Sequence, residues 1–184
     1  MTNKEFKNSE QFSDGKYRVL KISDGSKDLR RITCETEGIC LIPFDTSNGK
    51  IRNVYLARQM NYLQNQEDHS CICIESRGTY SSNFEEVESI CKEELNIDCD
   101  VNDVYYLGSI KHNYPFTKSY KCYGINLDNH SKDLSGFALD IPKSEQDNRI
   151  YALDKVRFNR VLNGEIEDSL CLASATLLIS YINS

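Results

Sequence analysis

The order of apolar and polar residues along the chain predicts many short strands and few helices. Strands are indicated where apolar and polar residues alternate, or where a short apolar run is bounded by turn residues. Such segments are residues 16–23, 29–35, 38–44, 51–60, 70–74, 104–110 and 119–127. Apolar residues spaced for one helix face predict helices at about 84–95, 153–162 and 166–181. The pattern indicates a mixed α/β (α+β) fold, with helices packed on the faces of a curved sheet.

The length of the chain, 184 residues, favours a single domain. Residues 1–15 are polar and lack the apolar core of a secretory signal, so they are predicted to form a flexible N-terminal arm. The domain then spans residues 16–184. Residues 61–68 are predicted to be a polar loop, and residues 128–146 a long polar connection. A connection of that length in a compact domain is usually functional or mobile.

The charge of the chain restricts the partners that it can bind. Hydrophobic residues make up 39% and charged residues 27%, with a formal net charge of −6. This balance argues against a general nucleic-acid surface or an anionic membrane surface, because both need basic patches. No apolar run approaches the roughly 20 residues that span a bilayer. A small anionic substrate remains compatible with this charge, since a divalent cation can bridge like charges.

The eight cysteines do not form a recognisable framework. Most lie within apolar or alternating segments, where a free thiol behaves as a small hydrophobic side chain. No Cys-x-x-Cys pair has zinc spacing, and His69, His112 and His130 show no ligand spacing. No serine or cysteine has the nearby base that covalent catalysis needs. We therefore expect reduced thiols and a cytoplasmic location.

The helix predicted at 84–95 is rich in glutamate. On a helical wheel Glu86 and Glu93 line one edge of the apolar half, and Glu94 falls on the apolar side. An acidic helix is most often a solvated face. Glu94 is harder to explain in that way, because a carboxylate near a helix C-terminus is opposed by the helix dipole. A bound cation would resolve this conflict, and so would fraying of the last turn into water.

The end of this helix resembles the signature of the Nudix hydrolases. That signature is Gly, five residues, Glu, seven residues, then Arg-Glu-apolar-x-Glu-Glu-x-Gly-apolar, whose glutamates hold divalent cations. Residues 92–97, Lys-Glu-Glu-Leu-Asn-Ile, resemble its closing part, with Asn96 in the place of the glycine. Asparagine tolerates the left-handed conformation that ends a helix. In this register residues 89–91, Ser-Ile-Cys, replace Arg-Glu-apolar. Counting from Gly78 instead places Phe84 at the first glutamate, so no register satisfies the whole signature.

Other segments are similar to the ADP-ribose pyrophosphatase branch of that family, in the same order along the chain. They are residues 38–44, 54–62, 75–78, 107–110 and 153–169. The resemblance covers the chain from about residue 16 to its end. It implies a Nudix-like α/β/α sandwich with a curved mixed sheet, one mid-chain helix of the catalytic type and two C-terminal helices.

The resemblance also implies a reaction. A Nudix-type hydrolase would act on a nucleoside diphosphate linked to another moiety, of the ADP-ribose or nucleotide-sugar class. Mg²⁺ or Mn²⁺ would be held by Glu93 and Glu94, which are also the predicted catalytic residues, with the aid of Glu86. Glu145, or its neighbour Asp147, occupies the late connection from which an acid often helps to position the water. A solvated loop is the alternative for that segment.

Three further positions are predicted to contact the bound nucleotide. Arg58 and Arg77 could bind phosphate, since a guanidinium group recognises it bidentately, and Gly78 begins the loop before the helix. Either arginine could equally be a surface charge. The substrate is expected to be a small nucleotide, with no nucleic-acid or membrane partner.

Two further expectations concern activity and assembly. The missing Arg-Glu pair leaves open an alternative function, a catalytically impaired Nudix-fold protein that serves as a nucleotide-binding or protein-interaction module. In the resembling branch the N-terminal strands often exchange across a two-fold dimer. Residues 16–35 could do this here, so a homodimer is expected.

Overall fold

A computed structural model describes residues 7–13, 17–23, 28–34, 37–61, 66–76, 80, 82–112, 116–130, 133–136 and 152–183. The strands within these ranges are β1 Lys7–Ser13, β2 Tyr17–Ser23, β3 Asp28–Cys34, β4 Gly38–Ser47, β5 Lys50–Asn61, β6 Gln66–Ser70, β7 Ile72–Glu75, β8 Val104–His112, β9 Phe116–Asn126 and β10 Ala152–Arg157. The helices are α1 Asn83–Ile90, which continues as a π-helical turn at Cys91–Leu95, α2 Phe158–Leu162 and α3 Ser169–Ile182. None of the helices described is both long enough and apolar enough to cross a membrane.

The strands form one curved, mixed and unclosed sheet, as predicted. At its centre β4 and β9 run parallel, and β8 pairs with β9 in the antiparallel sense. On the other side β5 pairs with β4, and β10 and β6 both pair with β5. Strand β7 also pairs with β4. Strands β1 to β3 form an antiparallel meander, which joins β9 through a short parallel pairing.

Both faces of the central sheet are covered, and strand β4 shows how the sequence achieves this. Successive side chains of a strand point to opposite faces. Ile39 and Leu41 pack in the core beneath α1, whereas Cys40, Ile42 and Phe44 pack in the core beneath α2 and α3. All five side chains are buried. The unbroken apolar run at 38–44 is therefore a strand between two layers of helix.

The prediction of a helix at 153–162 is wrong in its first half. Residues Ala152–Arg157 form strand β10 against β5, and only Phe158–Leu162 is helical. The spacing of Leu153 and Val156 suits either structure. As a strand, the segment sends Leu153 into the core beneath α1 and Val156 into the core on the opposite face. A helix on one face of the sheet would not reach both cores.

Two polar segments are more regular than the sequence indicates. Lys7–Ser13, within the predicted arm, forms β1, and the predicted loop 61–68 includes the start of β6 at Gln66. Both strands obtain their backbone hydrogen bonds by pairing with a neighbouring strand, so they need little apolar content. Strands β4 and β5 are joined by a tight turn. Asn48 and Gly49 have φ values of 53° and 70°, the left-handed conformation that a tight hairpin requires.

Candidate functional site

Helix α1 is fixed at its start by a serine cap. The Ser82 hydroxyl accepts a hydrogen bond from the backbone N–H of Glu85 at 3.2 Å. Val87 and Ile90 are fully buried against the sheet, so the rotation of the helix is set by the core. The remaining faces present the glutamates to their surroundings.

The last turn of this helix is π-helical. The backbone N–H groups of Asn96 and Ile97 both donate to the carbonyl of Cys91, and Asn96 ends the turn with φ 52° and ψ 46°. The residue in the place of the signature glycine therefore has the left-handed conformation that the sequence predicted. A π-helical turn holds one residue more than an α-helical turn. In the signature the missing glutamate stands three residues before the Glu-Glu pair, which is one turn of an α-helix. Because the π-helical turn holds one residue more, the residue one turn before Glu93 is Ser89 and not the fully buried Ile90.

Glu93 lies at the exposed end of a chain of hydrogen bonds. The Ser89 hydroxyl donates to Oε1 of Glu93 at 2.7 Å, and the hydroxyl groups of Tyr80 and Ser89 are 2.7 Å apart. Because Ser89 uses its only proton toward Glu93, Tyr80 is the donor in the second bond. Ser89 thus occupies the signature position as a neutral group that holds the carboxylate of Glu93.

Glu94 points in a different direction from Glu93. Its side chain is half-buried, and its Oε2 atom is shielded from solvent, whereas Glu93 is exposed. The two acids therefore present one carboxylate to solvent and one toward the protein. The inward lean of Glu94 agrees with its predicted place on the apolar side of the helix.

Glu86 is more deeply buried than Glu94, with 5% of its surface exposed. The hydroxyl of Ser76, at the end of β7, lies 2.9 and 3.0 Å from its two carboxylate oxygens. The backbone N–H of Ser76 in turn donates to the carbonyl of Glu37 at 3.0 Å. A proline at this position could make neither contact. The serine is therefore coupled to the buried acid.

A lysine on β9 connects the start of α1 with the start of β4. Nζ of Lys121 lies 2.8 Å from Oε2 of Glu37 and donates to Oδ1 of Asn83 at 3.2 Å. The ion pair with Glu37 raises the pKa of Lys121, and the nearby charge of Glu86 acts in the same direction. No local sequence pattern reveals this contact, because Lys121 follows the helix by about 30 residues.

The predicted site residues are only partly brought together. Glu86, Glu93 and Glu94 share one helix. Among the described residues, however, these three do not form a group whose carboxylate oxygens all lie within 4.8 Å of one another. Glu145, Arg77 and Gly78, like Asp147, lie outside the described residues, and their roles stay predictions.

Arg58 lies on the other side of the sheet. Strand alternation places it on the face of Val54 and Leu56, which pack beneath α2 and α3. Its Nε atom is 3.8 Å from Oδ2 of Asp154, and Nε2 of His69 is 3.0 Å from the same oxygen. The structure does not bring Arg58 near the glutamates of α1, and its contact with phosphate stays a prediction.

Replacing Ser76 with alanine tests whether the Ser76 hydroxyl stabilises the buried carboxylate of Glu86. Removal of the hydroxyl deprives a buried carboxylate of a hydrogen bond, which is worth about 1.5–3 kcal/mol when one partner is charged. We expect denaturant unfolding at neutral pH to show a loss of that size. Ser47→Ala, at the exposed end of β4, is the matched control and should change stability by less than about 0.5 kcal/mol. An equal effect of both variants would contradict the proposed support.

A tyrosine lies in the core beside this group of acids. The Tyr123 hydroxyl is buried and has no hydrogen-bond partner within the described part of the chain. Burial raises the pKa of Tyr123 from 10.0 to about 12, with smaller contributions from Tyr106, Glu86 and Glu37. The Tyr106 ring packs against it, with the two ring centroids 5.3 Å apart.

Tyr123→Phe is therefore expected to stabilise the protein by about 1 kcal/mol at neutral pH, because it removes a buried polar group. A pKa that is higher in the folded state also costs stability as the pH rises from 10 toward 12, since the unfolded chain ionises first. The variant should lose less stability than the wild type between neutral pH and about pH 11. Unfolding in denaturant at both pH values measures this. A variant less stable than the wild type at neutral pH would show that the hydroxyl has a partner.

Two solved structures resemble the chain over most of its length. An ADP compounds hydrolase shares 13% sequence identity with a TM-score of 0.59, over 100% of this chain and 97% of that one. A protein described as a NUDIX hydrolase, from Listeria monocytogenes, shares 15% identity with a TM-score of 0.56, over 81% and 95%. No protein-family model and no curated protein sequence matches the chain.

The chain therefore has the Nudix fold, as the resemblance in its sequence predicted. The mid-chain helix of that prediction is α1 with its π-helical turn, and α2 and α3 are the two C-terminal helices. At these identities the likeness concerns the fold, because one fold can support many functions.

Proposed function

We propose that this protein is a Nudix-type hydrolase that cleaves the diphosphate of a nucleoside diphosphate linked to another moiety. The position of Glu93 and Glu94 is the observation on which the proposal depends. They lie in a helical turn that ends in a left-handed residue, as the Nudix signature requires. ADP-ribose and nucleotide sugars are the proposed substrates. The similarity to an ADP compounds hydrolase supports an adenine nucleotide as the first choice.

The donors at this turn suit a hard divalent cation such as Mg²⁺ or Mn²⁺. Mg²⁺ is usually bound by one or two carboxylates together with water and substrate phosphates, rather than by a full protein cage. Glu93 and Glu94 supply two carboxylates, one exposed and one half-buried. Glu86 is a weaker candidate ligand, because it is buried and bound by Ser76. When bound, the cation would neutralise diphosphate charge and lower the pKa of a water molecule.

In the proposed reaction water attacks one phosphorus atom of the diphosphate. A new P–O bond forms, the bond from that phosphorus to the bridging oxygen breaks, and two phosphate monoesters leave. The proton of the water is lost to a base, for which Glu145 is the proposed residue. Ser89 and Tyr80 hold the Glu93 carboxylate in place. Arg77 and Gly78 are proposed to contact the diphosphate.

The experiment is a hydrolysis assay with ADP-ribose and a set of nucleotide sugars, with Mg²⁺ or Mn²⁺ or with a chelator. Chromatography measures the nucleoside monophosphate formed, and water enriched in heavy oxygen shows which phosphorus was attacked. We expect metal-dependent formation of the monophosphate from at least one substrate. Saturable nucleotide binding without turnover on any substrate would overturn the proposal in favour of a binding module.

We also propose that the protein is a homodimer, in which residues 16–35, which include β2 and β3, are exchanged between the two copies. These strands form part of a meander at one end of the sheet, with a short junction to β9. Light scattering of the full chain in solution should give the mass of two copies. A monomeric mass across the concentrations used in the assay would exclude the dimer.

A further inference from the structure

A group of buried thiols lies on the sheet face opposite α1. Cys40 on β4, Cys71 between β6 and β7, Cys122 on β9 and Cys171 on α3 are all at most 3% exposed. The Ser174 hydroxyl is 3.4 Å from Sγ of Cys40 and 3.8 Å from Sγ of Cys122. All four cysteines are free thiols. We call these four residues the thiol cluster.

The carboxylate of Asp168 lies beside the thiol cluster. The sulfur atoms of Cys71 and Cys171 lie 3.2 Å apart, and Oδ2 of Asp168 accepts a hydrogen bond from the backbone N–H of Cys71 at 3.2 Å. The possible ligand atoms of these three residues all lie within 4.8 Å of one another. Within the described ranges no other set of three His, Cys, Asp or Glu side chains meets this condition.

The start of helix α3 lies at this point. Asp168 caps α3, since its Oδ1 accepts a hydrogen bond from the backbone N–H of Leu170 at 3.0 Å, and Cys171 lies in the first turn. The N-terminus of a helix carries partial positive charge, which stabilises thiolates and carboxylates.

We propose that Cys71, Asp168 and Cys171 form a buried structural site for Zn²⁺, with Cys40 as the fourth ligand. Zn²⁺ binds thiolate sulfur at about 2.3 Å and carboxylate oxygen at about 2.0–2.2 Å, usually with four ligands. The ligand atoms of Cys71, Asp168 and Cys171 already lie within 4.8 Å of one another, so small side-chain movements bring them to such distances. Cys40 lies outside this group of three, but its thiol shares a hydrogen bond with Cys71, and it would move further to complete the site. Soft thiolate ligands select Zn²⁺ over Mg²⁺.

The site would join α3 to the sheet. Cys71 and Cys171 are 100 residues apart in sequence, so a shared ion links the middle of the chain to its last helix. The site is on the opposite face from Glu93 and Glu94, and its role is independent of the proposed hydrolysis. Because the cysteine ligands are buried, the ion would enter during folding, and its binding free energy would add to the stability of the fold.

The competing explanation is that the cysteines are small core residues and that Asp168 only caps α3. A second thiol pair provides a control for it. Cys91 and Cys99 are both buried beneath α1 and share a hydrogen bond, which raises the pKa of Cys91. No carboxylate joins this pair in a three-ligand group within the described residues.

The test uses the full chain, refolded under reducing conditions with Zn²⁺ and then freed of loosely bound metal. Elemental analysis should find about one Zn²⁺ per chain, and refolding with Co²⁺ should give the intense absorption of tetrahedral thiolate–cobalt bonds. Cys171→Ser should lose both signals, whereas Cys99→Ser should keep them. Zn²⁺ should raise the melting temperature of the wild type and of Cys99→Ser.

Asp168→Asn covers the case in which Cys171→Ser does not fold. Asparagine caps a helix about as well as aspartate, so this variant should fold while binding Zn²⁺ at least about 10-fold more weakly. A wild-type protein refolded without Zn²⁺ uptake would overturn the proposal. So would Zn²⁺ content that is the same in wild type, Cys171→Ser and Asp168→Asn. A Cys71–Cys171 disulfide that forms without reductant, and that added Zn²⁺ does not prevent, would also overturn it.

Discussion

Glu94→Gln is expected to lower the metal-dependent kcat by about 100-fold or more while leaving the fold intact. Glutamine keeps the size of the half-buried side chain but removes the charge that would hold the cation. Even groups that only orient a metal ligand are worth about 10- to 100-fold, so loss of a ligand should cost at least as much. The measurement is the initial rate of monophosphate formation at saturating substrate over a range of Mg²⁺ concentrations.

Glu88→Gln is the matched control, because Glu88 is an exposed glutamate on the same helix. It should retain the activity of the wild type within about threefold. Circular dichroism and melting temperature should be alike for both variants. If Glu94→Gln were as active as Glu88→Gln, the proposed place of the cation would be wrong, even if the protein were a hydrolase.

A glutamate introduced at position 89 should behave very differently from one introduced at position 90. Because of the π-helical turn, Ser89 occupies the place of the missing signature glutamate and lies 2.7 Å from Glu93. Ser89→Glu should lower the Mg²⁺ concentration needed for half-maximal rate by about 10-fold, since it adds a carboxylate to two others. Ile90→Glu would place a charge in the core beneath α1 and should cost about 4 kcal/mol or more of stability.

Ser89→Gln separates charge from size in this experiment. It matches the length of the new glutamate without its charge, so its dependence on Mg²⁺ should not improve. Chemical denaturation compares the stability of all three variants. Equal Mg²⁺ dependence of Ser89→Glu and Ser89→Gln, or a stable Ile90→Glu protein, would contradict the register that the π-helical turn defines.

The sequence predicted the central strands from two patterns that are typical of strands. These are the short apolar run at 38–44 and the alternation of apolar and polar residues at 51–60. Strand β10 was missed because Leu153 and Val156 fit both structures, and only pairing with β5 decides between them. Strand β6 was missed because its residues are polar and its stability comes from the neighbouring strand.

Only the part of the candidate site that lies in α1 and its π-helical turn could be predicted from the sequence. Glu93, Glu94 and Asn96 are close in sequence, so their relation could be deduced from periodicity. The π-helical turn could not be deduced in this way, because a helical wheel assumes a constant number of residues per turn. Ser76 and Lys121 approach Glu86 and Glu37 from other strands, and no local pattern reveals such contacts. The same holds for Cys71 and Cys171, which only the folded chain brings together.

The short junction between β3 and β9 has a consequence for how the molecule opens. In the described part of the chain the strand register joins them at two residue pairs, Ile32 with Phe116 and Thr33 with Thr117. Strands β1 to β3 are paired with one another over most of their length, with one register shift in β1 between Glu10 and Phe12. Such a meander can detach as one cooperative unit without disturbing the central sheet. Amide hydrogen exchange should therefore give β1 to β3 a common protection factor well below that of β4.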